Sequence, residues 1–373
     1  MESIEETLRR AAALDALFMK NEREGDEELR ALHSALVSLG LQRAFLPERY
    51  GGMGKGISEE MFLIESIAKS DVGLAFLVAL PYLAIEPIFL RRKNDLLLEF
   101  SEALVKDEPV NWALAMTEEQ GGASIEDSSL KGETIETRIT REGRDYRING
   151  RKVWVSNATR ADWYLVVCRD PEERVTLAYA PAGIRGLSVG TPMEKIGCLS
   201  DTNAEIHFEN VVVPERFVIE DAWNEFRAVV ALGRLGSAFM ATGIASRALE
   251  EVAGYASRRN FRGELMKEHT MHAGIIGRMN AVVHCVRSYC TSIASQLEAG
   301  RLDVCSLLPE ASRAKLLACK SAEWVSSQAI ELLGARGVSA GSASERSYRD
   351  SKVIEVWEGG QQLEAIEASS DLF

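Results

Sequence analysis

The residues in this chain best placed to do chemistry stand near its C-terminal end. The stretch reads Arg349-Asp350-Ser351-Lys352-Val353-Ile354-Glu355-Val356-Trp357-Glu358-Gly359-Gly360. A largely apolar run, Val353 to Trp357, leads into Glu358, and two glycines follow at once. Positions without side chains let a ligand or another backbone come close to the glutamate. A carboxylate walled by an indole and bare backbone is desolvated, and its pKa rises toward a value useful for proton abstraction. On the fragment alone the plainer reading, a solvated turn glutamate after a buried segment, comes first.

Other reactive types are scattered. The six cysteines, at 168, 198, 285, 290, 305 and 319, make no CxxC pair and no metal spacing. Scattered thiols of this kind suit a reducing cytosol, where most act as small buried hydrophobes. His269 and His272 lie three apart beside Glu268, but without a further convergent ligand no metal site is expected. No GxGxxG opens a βαβ unit. The loop Leu46-Pro47-Glu48-Arg49-Tyr50-Gly51-Gly52-Met53-Gly54 lacks the strand before and the Lys-Ser/Thr after that a phosphate loop needs.

The elements that must position these residues divide the chain of 373 residues in three. Residues 1–112 read as helical: Leu29, Leu32, Leu36 and Leu39 recur at helical spacing before Gly40, and Ser58 offers an N-cap for a helix carrying Met61, Ile64 and Ile67. An apolar helix is expected from about Val72 to Leu80 and another after Pro87. Residues 113–219 alternate with the period of strands, with Asn149-Gly150 as a tight-turn signal between Tyr146-Arg147-Ile148 and Lys152-Val153-Trp154-Val155. Residues 220–373 hold three long amphipathic helices, about 224–258, 267–299 and from Pro309 to Leu333-Gly334. The expected class is α+β: an N-terminal helical domain, a central antiparallel β-domain and a C-terminal four-helix bundle.

Composition narrows the function. The net charge of −13 argues against nucleic acid. The apolar run Val72 to Ile88 is broken by Pro81, Glu86 and Pro87, so no membrane span is expected. The acidic N-terminus, Met1-Glu2-Ser3-Ile4-Glu5-Glu6, is neither a signal nor a transit peptide, so the expected place is the cytoplasm.

This α–β–α order, with several motifs, resembles the acyl-CoA dehydrogenase family of flavoproteins over nearly the whole chain. Leu46 to Gly54 is similar to the family's Pro-Glu-x-Tyr-Gly-Gly-x-Gly loop, and Ala115-Met116-Thr117-Glu118 to the start of its Thr-Glu-Pro-Gly-Ala-Gly-Ser-Asp segment. Asn149 to Ala158 resembles its Gly-x-Lys-x-Trp-Ile-Thr/Ser-Asn signature. Phe208 to Pro214 resembles the strand that leaves its β-domain, and Arg349-Asp350 with Trp357-Glu358-Gly359 its C-terminal end.

The resemblance implies roles. Glu358 falls at the catalytic base, which removes the α-proton of an acyl thioester while the β-hydride passes to flavin N5. The family polarises the thioester carbonyl with this glutamate's N–H and a flavin hydroxyl. Trp154 and Ser156 fall where the family packs an indole on the flavin and bonds N5 through a hydroxyl. Met116, Thr117, Gly122 and Gly360 fall at FAD contacts, and Gly359 at the substrate. Arg259 and Arg262, in the segment matching Arg-x-x-Phe-Gly, and Gly334 and Gly337, in the one matching Gly-Gly-x-Gly, fall near the FAD of a neighbouring subunit. A homodimer or homotetramer is implied, with an electron acceptor such as an electron-transfer flavoprotein, and acyl-CoA or acyl-carrier protein as substrate.

The chain also departs from the pattern. Glu119 replaces the proline, Ala123 the serine, Arg262 the phenylalanine, Thr270 and Glu331 two glutamines, and Gly360 a threonine. Gly233 stands where some members carry a second acid, leaving Glu358 the one base. A flavin-dependent oxygenase or oxidase on the same fold, which generally lacks this glutamate, and a non-catalytic relative are the alternatives.

Overall fold

The computed structural model describes residues 3–370 and 372. Six helices come first: α1 (Ile4–Ala11), α2 (Leu14–Lys20), α3 (Glu22–Ser38), α4 (Ile57–Ser70), α5 (Val72–Arg91) and α6 (Asn94–Leu104). Eight strands follow: β1 (Trp112–Ala115), β2 (Arg138–Glu142), β3 (Asp145–Ser156), β4 (Trp163–Arg169), β5 (Val175–Pro181), β6 (Leu187–Val189), β7 (Asn203–Pro214) and β8 (Val218–Ile219). The C-terminal part holds α7 (Trp223–Ala256), a hairpin of β9 (Asn260–Phe261) and β10 (Glu264–Leu265), then α8 (Thr270–Glu298), α9 (Leu308–Leu333), α10 (Ala343–Val356) and α11 (Gln361–Ala368).

Two helix expectations need correction. Val72–Arg91 is one helix with Pro81 and Pro87 inside it, where a break was expected. Each proline removes one intrahelical donor, but 15 of the 20 residues of α5 are buried, both prolines among them, and Asp71 caps its start by accepting from Leu74 N at 2.8 Å. Packing outweighs the local penalty. Together with α7 it is long and apolar enough to cross a membrane, yet both are buried in this protein. Ser58 is not the cap of α4: the helix starts at Ile57 with Gly56 at the cap, so Ser58 falls inside the first turn.

The sheet runs β6-β7-β3-β2-β4-β5-β8, with β1 beside β4. Its ladders are antiparallel except that β1 and the start of β2 meet β4 in parallel. Asn149-Gly150 makes no turn. β3 passes straight through it, and the register against β7 slips between Ile148 and Gly150. The hairpin turns earlier, with Glu142 opposite Asp145 and Gly143 at φ +67°. Gly150 is required by close approach, since a Cβ there would lie 2.6 Å from Thr137 Oγ1. Residues 134–137 precede the strand, and the Glu118 carboxylate takes the Glu136 and Thr137 N–H groups.

One face of the sheet forms its own core, including Ile139, Ile148, Val166 and Phe208. The other joins the helical core through an aromatic cluster in which Phe100 of α6 meets Trp112 and Trp163 edge-on, both at 4.9 Å. α7 is buried almost all round from Phe226 to Ala248 and is the axis on which α4, α9 and α10 pack.

Candidate functional site

α10 is capped by Ser342, which accepts from Glu345 N, and it ends at Val356. The chain then turns through left-handed backbone at Glu358 (φ +53°) and Gly359 (φ +91°) before Gly360 opens α11. A non-glycine residue in that region costs about 1–3 kcal/mol unless its surroundings hold it there. Two fully buried cations do so: Arg234 of α7 donates from Nε to the Glu358 carbonyl at 3.3 Å, and Lys315 of α9 donates to the Gly359 carbonyl at 2.8 Å. The Trp357 ring packs on Phe76 of α5 with centroids 4.5 Å apart.

The turn presents the Glu358 side chain inward. The residue is only 6% exposed, and neither carboxyl oxygen has a hydrogen-bond partner among the described residues. Its N–H likewise meets no acceptor among them. The carboxyl lies on bare backbone of α7: a Cβ at Gly233 would sit 1.7 Å from Glu358 Oε2. Burial, and next the Glu126 carboxylate, push the Glu358 pKa well above the ordinary glutamate value, against the pull of Lys315 and Arg234.

Four charged neighbours complete this centre, and the sequence reading named none of them. Arg234 donates to Ser312 Oγ at 2.8 Å and to Glu126 Oε2 at 3.2 Å, and Lys315 is paired with Glu364. Arg234 and Lys315 did leave a trace, as cations on helix faces otherwise apolar. Glu126, in the 3-10 turn Gly122–Glu126, left none.

Trp154 and Ser156 stand on β3. The register against β7 slips between Lys152 and Val155, so Trp154 takes a left-handed backbone (φ +57°) and stands 54% exposed. Asn203 Nδ2 holds its carbonyl at 3.0 Å. Ser156 Oγ donates to Asp201 at 3.0 Å and accepts from Asn203 at 3.2 Å. Its one proton is thus committed to a carboxylate, and only acceptor capacity remains for a ligand. Asp201 and Asn203 escaped the sequence reading. Met116 and Thr117 are fixed beside β3, their carbonyls accepting from Lys152 Nζ (2.8 Å) and Val153 N (2.9 Å).

The loop that carries Asp201 ties this strand to the helix leading to Glu358. Cys198 N donates to Asp350 Oδ1 at 2.7 Å, and Ser200 bonds Asp71 at the start of α5.

Arg259 and Arg262 are exposed, on and beside the β9–β10 hairpin, and neither has an ion-pair partner among the described residues. Arg262 (φ +52°) and Gly263 (φ +96°) form its turn, with the Arg262 side chain exposed. From Gly233 to the end of α7 at Ala256 is about 35 Å at 1.5 Å per residue, so one chain does not bring this hairpin to Glu358. Gly334 ends α9 with open space around it, as Gly122 has. A Cβ at Gly337 would lie 2.7 Å from Ile330 backbone, which makes that glycine a packing requirement. Gly360 has only Gln362 nearby. The Ala123 side chain lies outside what the structure describes. His269 and His272 pack with Phe261, and no group of three His, Cys, Asp or Glu among the described residues is arranged to hold a metal.

The chemistry of these groups fits a flavin dinucleotide: a bare indole face suits a planar ring, exposed guanidiniums suit a pyrophosphate, and an unpartnered acid suits a base.

The N-terminal, middle and C-terminal domain models of acyl-CoA dehydrogenases match residues 2–91, 113–211 and 223–367. A probable acyl-CoA dehydrogenase, FadE25, of Mycobacterium tuberculosis is 26% identical over 359 residues, covering 94% of this chain and 90% of that protein. Butyryl-CoA dehydrogenase of Megasphaera elsdenii superposes with a TM-score of 0.85 at 23% identity, over 100% of this chain and 99% of that one. The prolyl acyl carrier protein oxidase AnaB superposes with a TM-score of 0.83 at 21% identity, over 100% of both chains. At those identities the two structures speak for the fold alone. With all three domain models in chain order, the chain belongs to the acyl-CoA dehydrogenase family of flavin-dependent oxidoreductases.

Proposed function

We propose that this protein binds FAD and dehydrogenates an acyl thioester, carried on coenzyme A or on an acyl-carrier protein, to the 2,3-enoyl thioester. The observation that carries the reading is Glu358, a sealed carboxyl that, like its own N–H, has no hydrogen-bond partner among the described residues.

The two free groups of that one residue suit two halves of α-deprotonation. The N–H donates to the thioester carbonyl oxygen as negative charge develops there. The carboxylate takes the α-proton, and its raised pKa makes it a stronger base than a solvated glutamate. Burial excludes water from the enolate-like carbon. Bound FAD supplies the acceptor for the β-hydride. Trp154 would offer the ring an aromatic face, and Met116, Thr117, Ser156, Gly122 and Gly360 would help to hold the cofactor, with Gly359 at the substrate. Arg259, Arg262, Gly334 and Gly337, remote from Glu358 in their own chain, serve the flavin of a neighbouring copy in a homodimer or homotetramer. An acceptor such as an electron-transfer flavoprotein would take up the electrons.

The test is a visible spectrum recorded during anaerobic titration with one set of acyl groups, presented on coenzyme A and on carrier protein. Bleaching of a yellow protein is expected, and the carrier that bleaches it identifies the substrate class. A colourless protein that takes up no added FAD, or a yellow one that no thioester bleaches, overturns the proposal.

A further inference from the structure

Glu358 is braced by a cation that nevertheless leaves its carboxyl alone. Arg234 is fully buried and within reach of the Glu358 main chain, yet none of its donors goes to the Glu358 side chain. Its Nη1 is held by Ser312 and its Nη2 by Glu126. Glu126 is itself buried, and its Oε2 lies against the same turn: a Cβ at Gly359 would be 2.9 Å from it and 3.0 Å from Arg234 Nη2. The turn bearing Glu126 is anchored independently, because Ser128 N donates at 2.8 Å to Glu367 of α11, another buried carboxylate.

The charged groups acting on Glu358 are Glu126 from the 3-10 turn, Arg234 from α7 and Lys315 from α9, and Glu364 of α11 joins them through Lys315. Each cation has a carboxylate of its own, Arg234 with Glu126 and Lys315 with Glu364. Glu358 is the third carboxylate, left over.

We propose that Glu126 is a positioning residue for Glu358: it occupies Arg234, so that the guanidinium braces the Glu358 main chain without pairing with the Glu358 side chain. This rests on Glu358 being the base. Without Glu126, a buried guanidinium would have a free Nη2 and one unpaired carboxylate within reach. The new pair would hold Glu358 ionised and weakly basic, and would fix its carboxyl on Arg234.

The experiment follows the infrared carbonyl stretch of protonated carboxyl groups through a pH titration of the whole protein. The band of Glu358 is identified by its loss in Glu358→Gln. In Glu126→Gln its midpoint should fall by about one to three pH units, the effect of an opposite charge newly placed beside a carboxylate. In the double variant Glu126→Gln with Arg234→Met it should return to the parent value or above. The rising limb of kcat/KM against pH should move with the single variant and return with the double one, which a purely structural role would not produce. A midpoint unmoved or raised in Glu126→Gln overturns the proposal. So does a double variant lowered by a unit, since the fall would then not need Arg234; that result decides the matter even if the single variant does not fold. The infrared readout needs neither flavin nor thioester, so a protein that failed to bleach would sink the proposed function and leave this result standing.

Discussion

Two buried groups of carboxylates and cations hold this molecule together, and they balance differently. Around α10, Asp15, Asp71 and Asp350 meet Arg247, Arg346 and Arg349: Arg247 reaches Asp350 at 2.7 Å, Arg346 reaches Asp71 at 2.7 Å, and Arg349 reaches Asp15 at 2.8 Å. Around Glu358, two cations face three acids. The first group is a frame. It joins α5, α7, α10 and the loop beside Trp154, and burial of its charges is answered by pairing. The second leaves one carboxylate unanswered. Buried charge is costly without a partner, so the unpaired acid adds nothing to stability, and the proposed function gives it a use.

Asp350 and Glu358 respond to pH in opposite senses. Burial raises the Asp350 pKa, but Arg247, Arg346 and the Cys198 N–H more than offset it, and the net direction is down. A lowered pKa in the folded state gives stability that is present above the unfolded value and lost as the pH falls. For Glu358 the net direction is up. The folded state prefers the proton, so this contribution is full below the unfolded value and is lost as the pH rises toward the folded one.

The sharpest way to break the contrast is Glu358→Gln. Turnover of an acyl thioester should drop by about 100- to 10,000-fold, the usual worth of a positioned base, with the flavin spectrum retained. The variant should also melt higher than its parent, by a margin that widens as the pH rises above the ordinary glutamate value; a margin that narrows would mean the acid is paired. Asp350→Asn should do the reverse, costing about 3–5 kcal/mol in denaturant unfolding because it strands Arg247. If it costs nothing, the frame is not one. Gly233→Ala puts a methyl group where Glu358 Oε2 lies. The flexible carboxyl should swing aside at little cost to stability, while kcat falls by about 100-fold, as for a misplaced reacting group. Trp154→Ala is the mildest. Its indole is half exposed, so unfolding should change by less than about 1 kcal/mol, while FAD affinity by fluorescence titration weakens. Unchanged affinity would remove its role.

Legibility followed locality. Glu358 with its flanking indole and glycines was readable because the left-handed turn is built from adjacent residues. The bulge at Trp154 was not, because Lys152 to Val155 alternates like any strand and the slip is imposed by β7. Asn149-Gly150 carried a strong turn signal that a competing turn at Gly143 made redundant. The prolines of α5 signalled breaks that burial on all sides overrode.

The sequence by itself settled the order of elements, the α+β class, the family likeness and the acid on which the chemistry was hung, since these depend on periodicity and on motifs of neighbouring residues. Only the tertiary structure decided which charges pair. Glu126, Arg234, Lys315 and Glu358 lie far apart along the chain, and whether a carboxylate is neutralised or left basic depends on a few ångströms set by how α7, α9, α11 and one short turn pack together.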